Sequence, residues 1–357
     1  TPPSSEAAPA TLLGPIRRRV GAARANTAPP LISVVAAMVA RRRDAILINW
    51  LQDVFPEIAT AMDFGGLWSR WALGALKPFR DWSLASARIN VVIGDRMADH
   101  LARNGIPRSR ISVIPNWADP DIVRSVEGSA LRDGWGLRDK LVIGYSGNLG
   151  RAHDIETIVA AAEAIERVGS PLATSIAFAV IGGGARRAEM EREVAARRLR
   201  NVRFFPYQPS ERVAETLALP DVHLVSLKPD LEGLIVPSKI YGVMAAARPS
   251  VFIGATDGEV AGLIKCHGIG ETVSPGDSRA LVNAILRLAH DAPRRERMGA
   301  AARAAFEATH TKSQSAQLWQ QLLRDVSAAA PAGKAAAKAI LPAGRLCPSS
   351  AVNPRHE

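Results

Sequence analysis

The strongest constraint on the fold of this chain is the regular alternation of short apolar runs with amphipathic helical segments. Each apolar run is continuous, as is typical of strands that are covered on both faces. Strands are predicted at Ala45–Trp50, Asn90–Ile93, Ile111–Ile114, Leu141–Tyr145, Ser175–Ile181, Val202–Phe205, Val222–Ser226 and Ser250–Ile253. Helices are predicted at Leu31–Arg43, Asp95–Asn104, Asp154–Val168, Ala185–Arg198, Ser210–Leu217, Ser238–Ala247, Ser278–Ala289 and Ala292–Glu307. This alternation predicts an α/β fold with parallel, doubly wound sheets.

The length of 357 residues allows two such domains, because a domain usually takes roughly 100 to 200 residues. The second half is complete for a doubly wound domain, whereas the first has only about three recognisable strands and is predicted to be incomplete. The predicted organisation is a loose segment 1–30, a partial first domain 31–118, a hinge 119–140, a second domain 141–310, a helix 311–327 that packs back toward the first domain, and a disordered tail 328–357. A ligand of such a pair is expected in the crevice between the domains.

The net charge of +11 favours an anionic partner, although it is equally explained by an alanine- and arginine-rich gene composition. The sequence has neither a zinc-finger spacing nor basic runs interleaved with aromatics, so nucleic acid is not the expected partner. Two distant cysteines, Cys266 and Cys347, do not suggest a disulfide framework and favour the cytoplasm. The longest apolar run, Leu31–Ala40, is too short to span a bilayer.

The first candidate binding loop, Gly144–Asp154, lies between a predicted strand and a predicted helix. Gly147 and Gly150 allow a ligand to approach the backbone, Asn148 tolerates left-handed geometry, and Arg151 carries a fork that matches phosphate oxygens. The alternative is a simple turn with a solvated arginine.

Two more loops follow predicted strands at the same edge of the sheet. The glycine run that includes Gly183 lacks dinucleotide-fingerprint spacing, so it is either a close-approach loop at the crevice or a structural turn. Tyr207 and Gln208 are placed where a nucleobase could rest, and the alternative for Tyr207 is a packing role.

The most specific segment is Glu232–Pro249, with the sequence EGLIVPSKIYGVMAAARP. A Gly-flanked acidic turn is followed by Pro237-Ser238-Lys239 and an alanine-rich helix. Backbone N–H groups at a helix start and a lysine charge are the components of an anion site. An ordinary serine-capped helix with an exposed lysine is the alternative. His153 and His223 are not spaced as metal ligands, so no metal is predicted.

Five motifs occur in the order seen in one known family: NWLQDVFPE from Asn49, VIPNWAD from Val113, YSGNLGRAHD from Tyr145, IGGG from Ile181 and PSKIYGVMAAARP from Pro237. On these motifs the chain resembles a family-4 glycosyltransferase of the two-Rossmann GT-B fold. The similarity is to the branch that builds bacterial capsule, colanic-acid, O-antigen and related exopolysaccharides, and it covers about residues 31 to 326.

The resemblance implies a nucleotide-sugar donor held by the C-terminal domain, an acceptor held by the N-terminal domain, and retention of anomeric configuration without a required metal or other cofactor. It implies that Arg151 and Lys239 bind the donor diphosphate and stabilise its departure. The other implied donor-binding residues are Gly147, Asn148, Gly150, Gly183, Tyr207, Gln208, Glu232, Gly233, Leu234, Pro237 and Ser238, with Glu232, Gly233 and Leu234 lining the sugar pocket.

The sequence departs from the family pattern at two places. Many members have two glutamates eight positions apart where this chain has Leu234 and Gly242, so Glu232 is a substitute candidate for the sugar contact. The family's first strand and its glycine-rich loop are not recognisable. On the acceptor side, Gln52, Asp53 and Glu57 follow a predicted strand; Asp53 is a candidate general base, and helix capping is its alternative.

A segment rich in tryptophan, Leu67–Trp82, combines aromatic rings with cations. Trp68, Trp71 and Trp82 with Lys77 and Arg80 suit the headgroup region of a membrane. The alternative is that these rings pack under a domain lid.

The sequence therefore predicts a hexosyltransferase that is peripheral at the inner face of the cell membrane. It would move a sugar from a nucleotide-diphosphate donor to a polyprenyl-diphosphate-linked glycan. Two other functions stay open at this point: a nucleotide-sugar epimerase of GT-B fold, and a non-catalytic, membrane-associated nucleotide-binding scaffold.

Overall fold

The computed structural model describes residues 22–26, 31–63, 66–119 and 130–328. In these residues two parallel sheets are each covered by helices. The first unit contains β1 (Ala22–Asn26), α1 (Ile32–Arg43), β2 (Ile46–Trp50), α2 (Glu57–Ala61), α3 (Gly66–Ser86), β3 (Ile89–Val92), α4 (Asp95–Arg103) and β4 (Ile111–Val113).

The second unit follows a segment outside the described residues and ends with a helix that returns to the first unit. Its elements are α5 (Ala130–Gly134), β5 (Leu141–Ser146), α6 (Glu156–Val168), α7 (Pro171–Ser175), β6 (Ile176–Ile181), α8 (Arg187–Ala196), β7 (Val202–Phe205), α9 (Val213–Ala218), β8 (Val222–Ser226), α10 (Lys239–Ala245), β9 (Ser250–Ile253), α11 (Glu259–His267), β10 (Gly270–Val273), α12 (Ser278–His290), α13 (Ala292–Thr309) and α14 (Lys312–Ala328).

The two sheets differ in strand order, and the second order positions the site. The first sheet runs β1-β2-β3-β4 and the second runs β10-β9-β8-β5-β6-β7, with every described pairing parallel. In the second sheet β6 and β7 therefore lie on one side of β5, and β8, β9 and β10 lie in succession on its other side. Loops that leave β5 and β8 diverge, which opens a crevice at their carboxyl ends.

The strands form where the sequence is continuously apolar, because helices cover both faces of each sheet. All six residues of β6 and all five of β8 are buried. The central strands of the second sheet pack against α6 and α12, which have clear apolar faces.

The two units also share apolar contacts. One buried cluster joins Leu51, Val54 and Met97 of the first unit to Leu234 and Tyr241 of the second. Helix α14 crosses back to the first sheet, where the ring of Trp319 meets that of Trp50 edge to face, with 5.3 Å between the ring centroids.

The parallel α/β prediction is confirmed, and the eight predicted strands match β2 to β9 within a residue or so. Several elements were missed. Strand β1 lies in the segment predicted to be loose; its sequence, AARAN, has no β-branched residue, and its parallel pairing with β2 defines it. Strand β10, the edge of the second sheet, is mostly half-buried and therefore lacks a continuous apolar run. Helix α3 continues through Pro78, a residue that normally predicts a break.

Three sequence predictions fall wholly or partly outside the described residues: the loose segment 1–30 apart from β1, the hinge at 120–129, and the tail from residue 329. The predicted helix 311–327 corresponds to α14.

Candidate functional site

A cleft of about 1010 Å³ lies between the two units, at the carboxyl ends of β5 and β8. Its wall from the first unit is formed by Asp53, Ile58, Met62, Ala118 and Asp119. Its wall from the second unit includes Ser146, Gly147, Asn148, Gly150, Arg151, His153, Tyr207, Gln208, Thr216, Leu217, Pro237, Ser238, Lys239 and Gly242. Ten of the predicted site residues are thus brought to one cleft: Asp53, Gly147, Asn148, Gly150, Arg151, Tyr207, Gln208, Pro237, Ser238 and Lys239.

The loop after β5 is held against the loop after β6 by backbone hydrogen bonds. Gly147 donates its N–H to the carbonyl of Ile181 at 2.8 Å, and Leu149 donates to the carbonyl of Gly183 at 2.7 Å. Gly182 has a φ of +126°, and a Cβ there would lie 2.4 Å from the carbonyl oxygen of Gly147. The two loops can therefore approach this closely because Gly182 lacks a side chain.

The same loop is tied to the end of β8 by buried polar groups. The ring nitrogen Nδ1 of His153 lies 2.7 Å from the carbonyl oxygen of Ser226, and the Ser226 hydroxyl accepts the N–H of Asp154 at 2.9 Å. The Asp154 carboxylate accepts the N–H and the hydroxyl of Thr157 at the start of α6. Burial, assisted by the nearby Lys239 charge, lowers the pKa of His153 to about 4. His153 is therefore neutral at pH 7 and fixes the loop.

Lys239 begins α10 and lines the cleft with Ser238. Its Nζ donates a hydrogen bond to the hydroxyl of Tyr145 and lies 3.7 Å from the centroid of that ring. Burial lowers the pKa of Lys239 to about 7. Because α10 has only seven residues, the ammonium group rather than a long helix dipole supplies the positive charge here.

Arg151 and Asp53 face the cleft from different units. Arg151 is exposed on the loop after β5. Asp53 follows β2, and its partial burial raises the pKa of its carboxyl group. Helix α2 begins after Pro56 with no side-chain cap, so Asp53 does not cap it. Of its predicted neighbours, Gln52 accepts a hydrogen bond from Asn116 at 2.8 Å, whereas Glu57 is directed away and pairs with Arg80.

Tyr207 and Gln208 lie at the rim, after β7. Tyr207 is 59% exposed, and its ring lies beside Gly183, where a Cβ would approach the ring to 2.8 Å. Gly183 is absent from the cleft lining, and it serves the site by making room for this ring.

The three residues predicted to line the sugar pocket, Glu232, Gly233 and Leu234, lie on a turn that contacts α11 of its own unit and the first unit. The Glu232 carboxylate accepts the backbone N–H of Glu259 at 2.7 Å at the start of α11. The Leu234 carbonyl accepts the N–H of Val54 at 2.9 Å. Gly233, with a φ of +78°, faces the carbonyl of Arg96, which a Cβ would approach to 3.0 Å. None of the three lines the cleft.

The predicted membrane-contact residues differ in how exposed they are. Trp71 is 76% exposed and Trp82 36% exposed, and Lys77 donates a hydrogen bond to Asn104 at 3.3 Å. Arg80 contradicts the prediction, since it is only 5% exposed and forms ion pairs with Glu57 and Asp81. The side chain of Trp68 lies outside the described residues.

Sequence reasoning missed Tyr145 as a site residue. It is the fifth residue of β5 and only 1% exposed, so its place in a buried strand was a sufficient explanation for an aromatic residue at this position. The sequence separates Tyr145 from Lys239 by 94 positions, and no local pattern joins them. The apolar first-unit wall at Ile58 and Met62 was also missed, because helix α2 was not predicted.

Across the described ranges, no group of three or more histidine, cysteine, aspartate or glutamate side chains is arranged to hold a metal ion. No helix in that part of the chain is long and apolar enough to cross a bilayer.

Two facing α/β units with a cleft at the carboxyl ends of their strands define the GT-B class of fold, and solved structures agree. Sucrose-phosphate synthase from Thermosynechococcus elongatus aligns with a TM-score of 0.67 at 20% identity, covering 86% of this chain and 74% of its own. HepE of Anabaena, solved in complex with UDP, aligns with a TM-score of 0.63 at 16% identity, covering 83% and 76%. The predicted fold class is confirmed.

Residues 130–305 match the family described as "Glycosyl transferases group 1". A colanic acid biosynthesis glycosyl transferase of Escherichia coli K12, WcaI, is 30% identical over 198 residues, which are 54% of this chain and 47% of WcaI. The Pseudomonas aeruginosa glycosyltransferase WbjE is 29% identical over 277 residues, which are 75% of this chain and 66% of WbjE. The chain thus spans about half to two thirds of these relatives, and the predicted family resemblance is confirmed.

Proposed function

We propose that this protein is a retaining glycosyltransferase that moves a hexose from a nucleotide-diphosphate donor to a polyprenyl-diphosphate-linked glycan in bacterial cell-surface polysaccharide synthesis. The observation that carries the proposal is the cleft of about 1010 Å³, where Arg151 and Lys239 of the second unit share one cavity with Asp53 of the first unit. A cavity of this size accommodates a nucleotide sugar.

On the donor side, the two cations suit the diphosphate. The Arg151 guanidinium matches phosphate oxygens in a fork, and the Lys239 ammonium acts as a point charge. Together they would stabilise the negative charge that develops on the leaving diphosphate, so no metal ion is required in this proposal. Tyr207 and Gln208 at the rim would flank the nucleobase, since a half-exposed ring offers a stacking surface.

On the acceptor side, Asp53 is the proposed general base. For the configuration to be retained in this step, the acceptor oxygen forms its bond to the sugar C1 on the same face of the ring from which the bond from C1 to the diphosphate oxygen breaks. The hydroxyl proton passes to the Asp53 carboxylate. The raised pKa of Asp53 suits this role, because a base is more effective when its pKa lies nearer the working pH. HepE is similar in fold and binds UDP, which makes a UDP-sugar the first donor to test.

The sugar contact proposed for Glu232 is not retained, because its carboxylate is used at the start of α11. Leu234, the position of the family's first glutamate, is buried outside the cleft, while Gly242, the position of the second, lines it. Hydroxyl groups of the sugar and the ribose must therefore meet other polar groups of the cleft, such as the hydroxyl of Ser238 and the amide of Asn148.

We also propose that the face formed by α1 and α3 contacts the inner surface of the cell membrane. Exposed apolar side chains occur on both helices: Val35, Met38, Val39, Trp71, Phe79 and Trp82. Arg41 and Trp82 line one groove between the two helices, and the last turn of α1 is Arg41-Arg42-Arg43. Rings beside cations are suited to an anionic headgroup region.

A transfer assay tests the enzymatic proposal. The full chain is incubated with a panel of UDP-, GDP- and dTDP-sugars and with polyprenyl-diphosphate-linked glycans, and the products are resolved by mass spectrometry and NMR. Transfer with an unchanged anomeric configuration, insensitive to EDTA, is expected. Sugar isomerisation without an acceptor would indicate the epimerase, and binding without turnover would indicate the scaffold; either result contradicts the proposal.

Vesicle cosedimentation tests the membrane proposal. The wild type is expected to bind phosphatidylglycerol vesicles but not phosphatidylcholine vesicles, and Trp71→Glu with Phe79→Glu is expected to abolish binding. Val168→Glu is the matched control, because Val168 is an exposed valine (54%) on α6 of the other unit. Equal binding by the double variant and the wild type would contradict the assignment of this face.

A further inference from the structure

The surroundings of the Lys239 ammonium group are unusual for a lysine that lines a cleft. Its ammonium group rests against one aromatic face, 3.7 Å from the Tyr145 centroid, and donates to the hydroxyl of that residue. The Tyr145 hydroxyl donates in turn to the carbonyl of Asn148 at 3.0 Å, so its oxygen is directed to accept from Lys239. Tyr145 itself is only 1% exposed and is held by β5. The lysine is thus fixed by a rigid partner.

Tyr145 provides no negative charge for the Lys239 ammonium group. Among the residues that the structure describes, the Lys239 ammonium forms no ion pair, and burial is the cause of its lowered pKa. Two histidines near it, His153 and His223, also have pKa values lowered by burial, to about 4, and are neutral at pH 7. The Tyr145 phenol has its pKa raised by burial and does not ionise in this range.

The other charged groups of the cleft are Arg151 on the loop after β5 and the carboxyl groups of Asp53 and Asp119 on the opposite wall. Arg151 carries the same sign of charge as Lys239, and in the described part of the chain the hydrogen-bond partner of the lysine is the Tyr145 hydroxyl rather than either carboxyl group. An anion that enters the cleft would therefore be the first counter-charge of Lys239.

We propose that Tyr145 positions Lys239 for the donor diphosphate, and that Lys239 takes up a proton from solution when the diphosphate binds. This inference rests on the proposed function, because the nucleotide sugar supplies the anion. Tyr145 does not touch the donor in this proposal; it acts through the lysine.

The consequence is a donor affinity that depends on pH. Below about pH 7 the free protein already carries the lysine proton, and binding needs no uptake. Above that pH, binding must add the proton, so the affinity falls by about tenfold per pH unit until the pKa of the bound lysine is reached. The diphosphate of a nucleotide sugar has no ionisation near neutral pH, so this slope belongs to the protein.

The first test is the titration of lysine side chains by ¹³C and ¹⁵N NMR in the protein without donor. Lys239 is expected to titrate well below the other lysines, and Tyr145→Phe is expected to lower its pKa further, because the protonated amine loses an acceptor. Tyr241→Phe is the matched control, since Tyr241 is a buried tyrosine on α10 that contacts His310 instead. Ordinary titration of Lys239, or equal effects of the two variants, would overturn the inference.

The second test is calorimetric titration with UDP-, GDP- and dTDP-sugars in buffers of different ionisation enthalpy. Uptake of about 0.9 proton at pH 8 and about 0.1 at pH 6 is expected for the wild type. Lys239→Arg should abolish the uptake because a guanidinium keeps its proton, and Tyr145→Phe should weaken binding by about tenfold. Failure of every nucleotide sugar to bind contradicts the proposed function, whereas binding without uptake at pH 8 overturns this inference alone.

Discussion

Replacing Glu259 by glutamine should remove a pH dependence of stability that arises where the two units meet. Glu259 belongs to α11 of the second unit, and its carboxylate accepts the backbone N–H of Arg96 at 2.8 Å, at the start of α4 in the first unit. Gly94 makes room for this carboxylate, because a Cβ there would lie 2.7 Å from it. Burial raises the pKa of Glu259 to about 7, and the neighbouring Asp95 and Glu232 add to this increase.

The sign of the effect follows from the direction of the pKa shift. A carboxyl group whose pKa is raised on folding stabilises the folded state below its unfolded pKa, and this contribution is lost as the pH rises through the folded pKa. For Glu259 the window runs from about pH 4.5 to about pH 7. Between pH 5 and pH 8 the loss amounts to about 2.5 kcal/mol at most.

Urea unfolding of the wild type and of Glu259→Gln at pH 5 and pH 8 measures this loss. The variant should gain stability relative to the wild type by up to about 2.5 kcal/mol over that interval, because glutamine keeps the acceptor oxygen and carries no charge. Glu296→Gln, at an exposed glutamate of α13, is the control and should show no such gain. A difference between Glu259→Gln and wild type that does not change with pH would show that the pKa of Glu259 is not raised on folding.

Three further predictions follow from burial, capping and exposure. Phe306→Ala removes a fully buried ring of α13 and should lower the free energy of unfolding by about 3 to 5 kcal/mol in a denaturant titration. Asp277→Ala removes the carboxylate that accepts the N–H of Ala280 at the start of α12 and should cost about 1 kcal/mol in the same assay. Tyr207→Ala should leave stability nearly unchanged and weaken nucleotide-sugar binding by about tenfold in calorimetry, because the exposed ring is proposed to stack on the base.

Much of the fold could be predicted because burial on both faces leaves a continuous apolar run in the sequence. Strands β6 and β8 were predicted within one residue for this reason, and the spacing between such runs predicted parallel connections. Strand β10 carries Glu271 on a partly exposed edge and left no such run. The strand order of the second sheet, which places β5 beside β8, is a tertiary property that the run pattern alone does not specify.

The site residues were predictable where they lie on a loop or helix start that follows a strand. Arg151 and Lys239 were predicted correctly to share a cleft, because the carboxyl ends of parallel strands meet at one edge. Glu232 and Arg80 were misplaced because the sequence reveals the type of a side chain but not its direction. Both side chains have partners within the protein, away from the predicted contacts. Tyr145 was missed because its role depends on a contact across the sheet.

Arg151 and Lys239 are proposed to bind the diphosphate of a nucleotide sugar in the cleft between the two units. The most direct measurement is calorimetric titration of the full chain with UDP-, GDP- and dTDP-sugars, comparing the wild type with Arg151→Gln combined with Lys239→Gln. One nucleotide sugar of the panel is expected to bind with one site per chain. The double variant is expected to retain the wild-type circular dichroism spectrum and to bind that sugar at least about a hundredfold more weakly. Unchanged affinity in the folded double variant, or no binding by any sugar of the panel, would contradict this proposal.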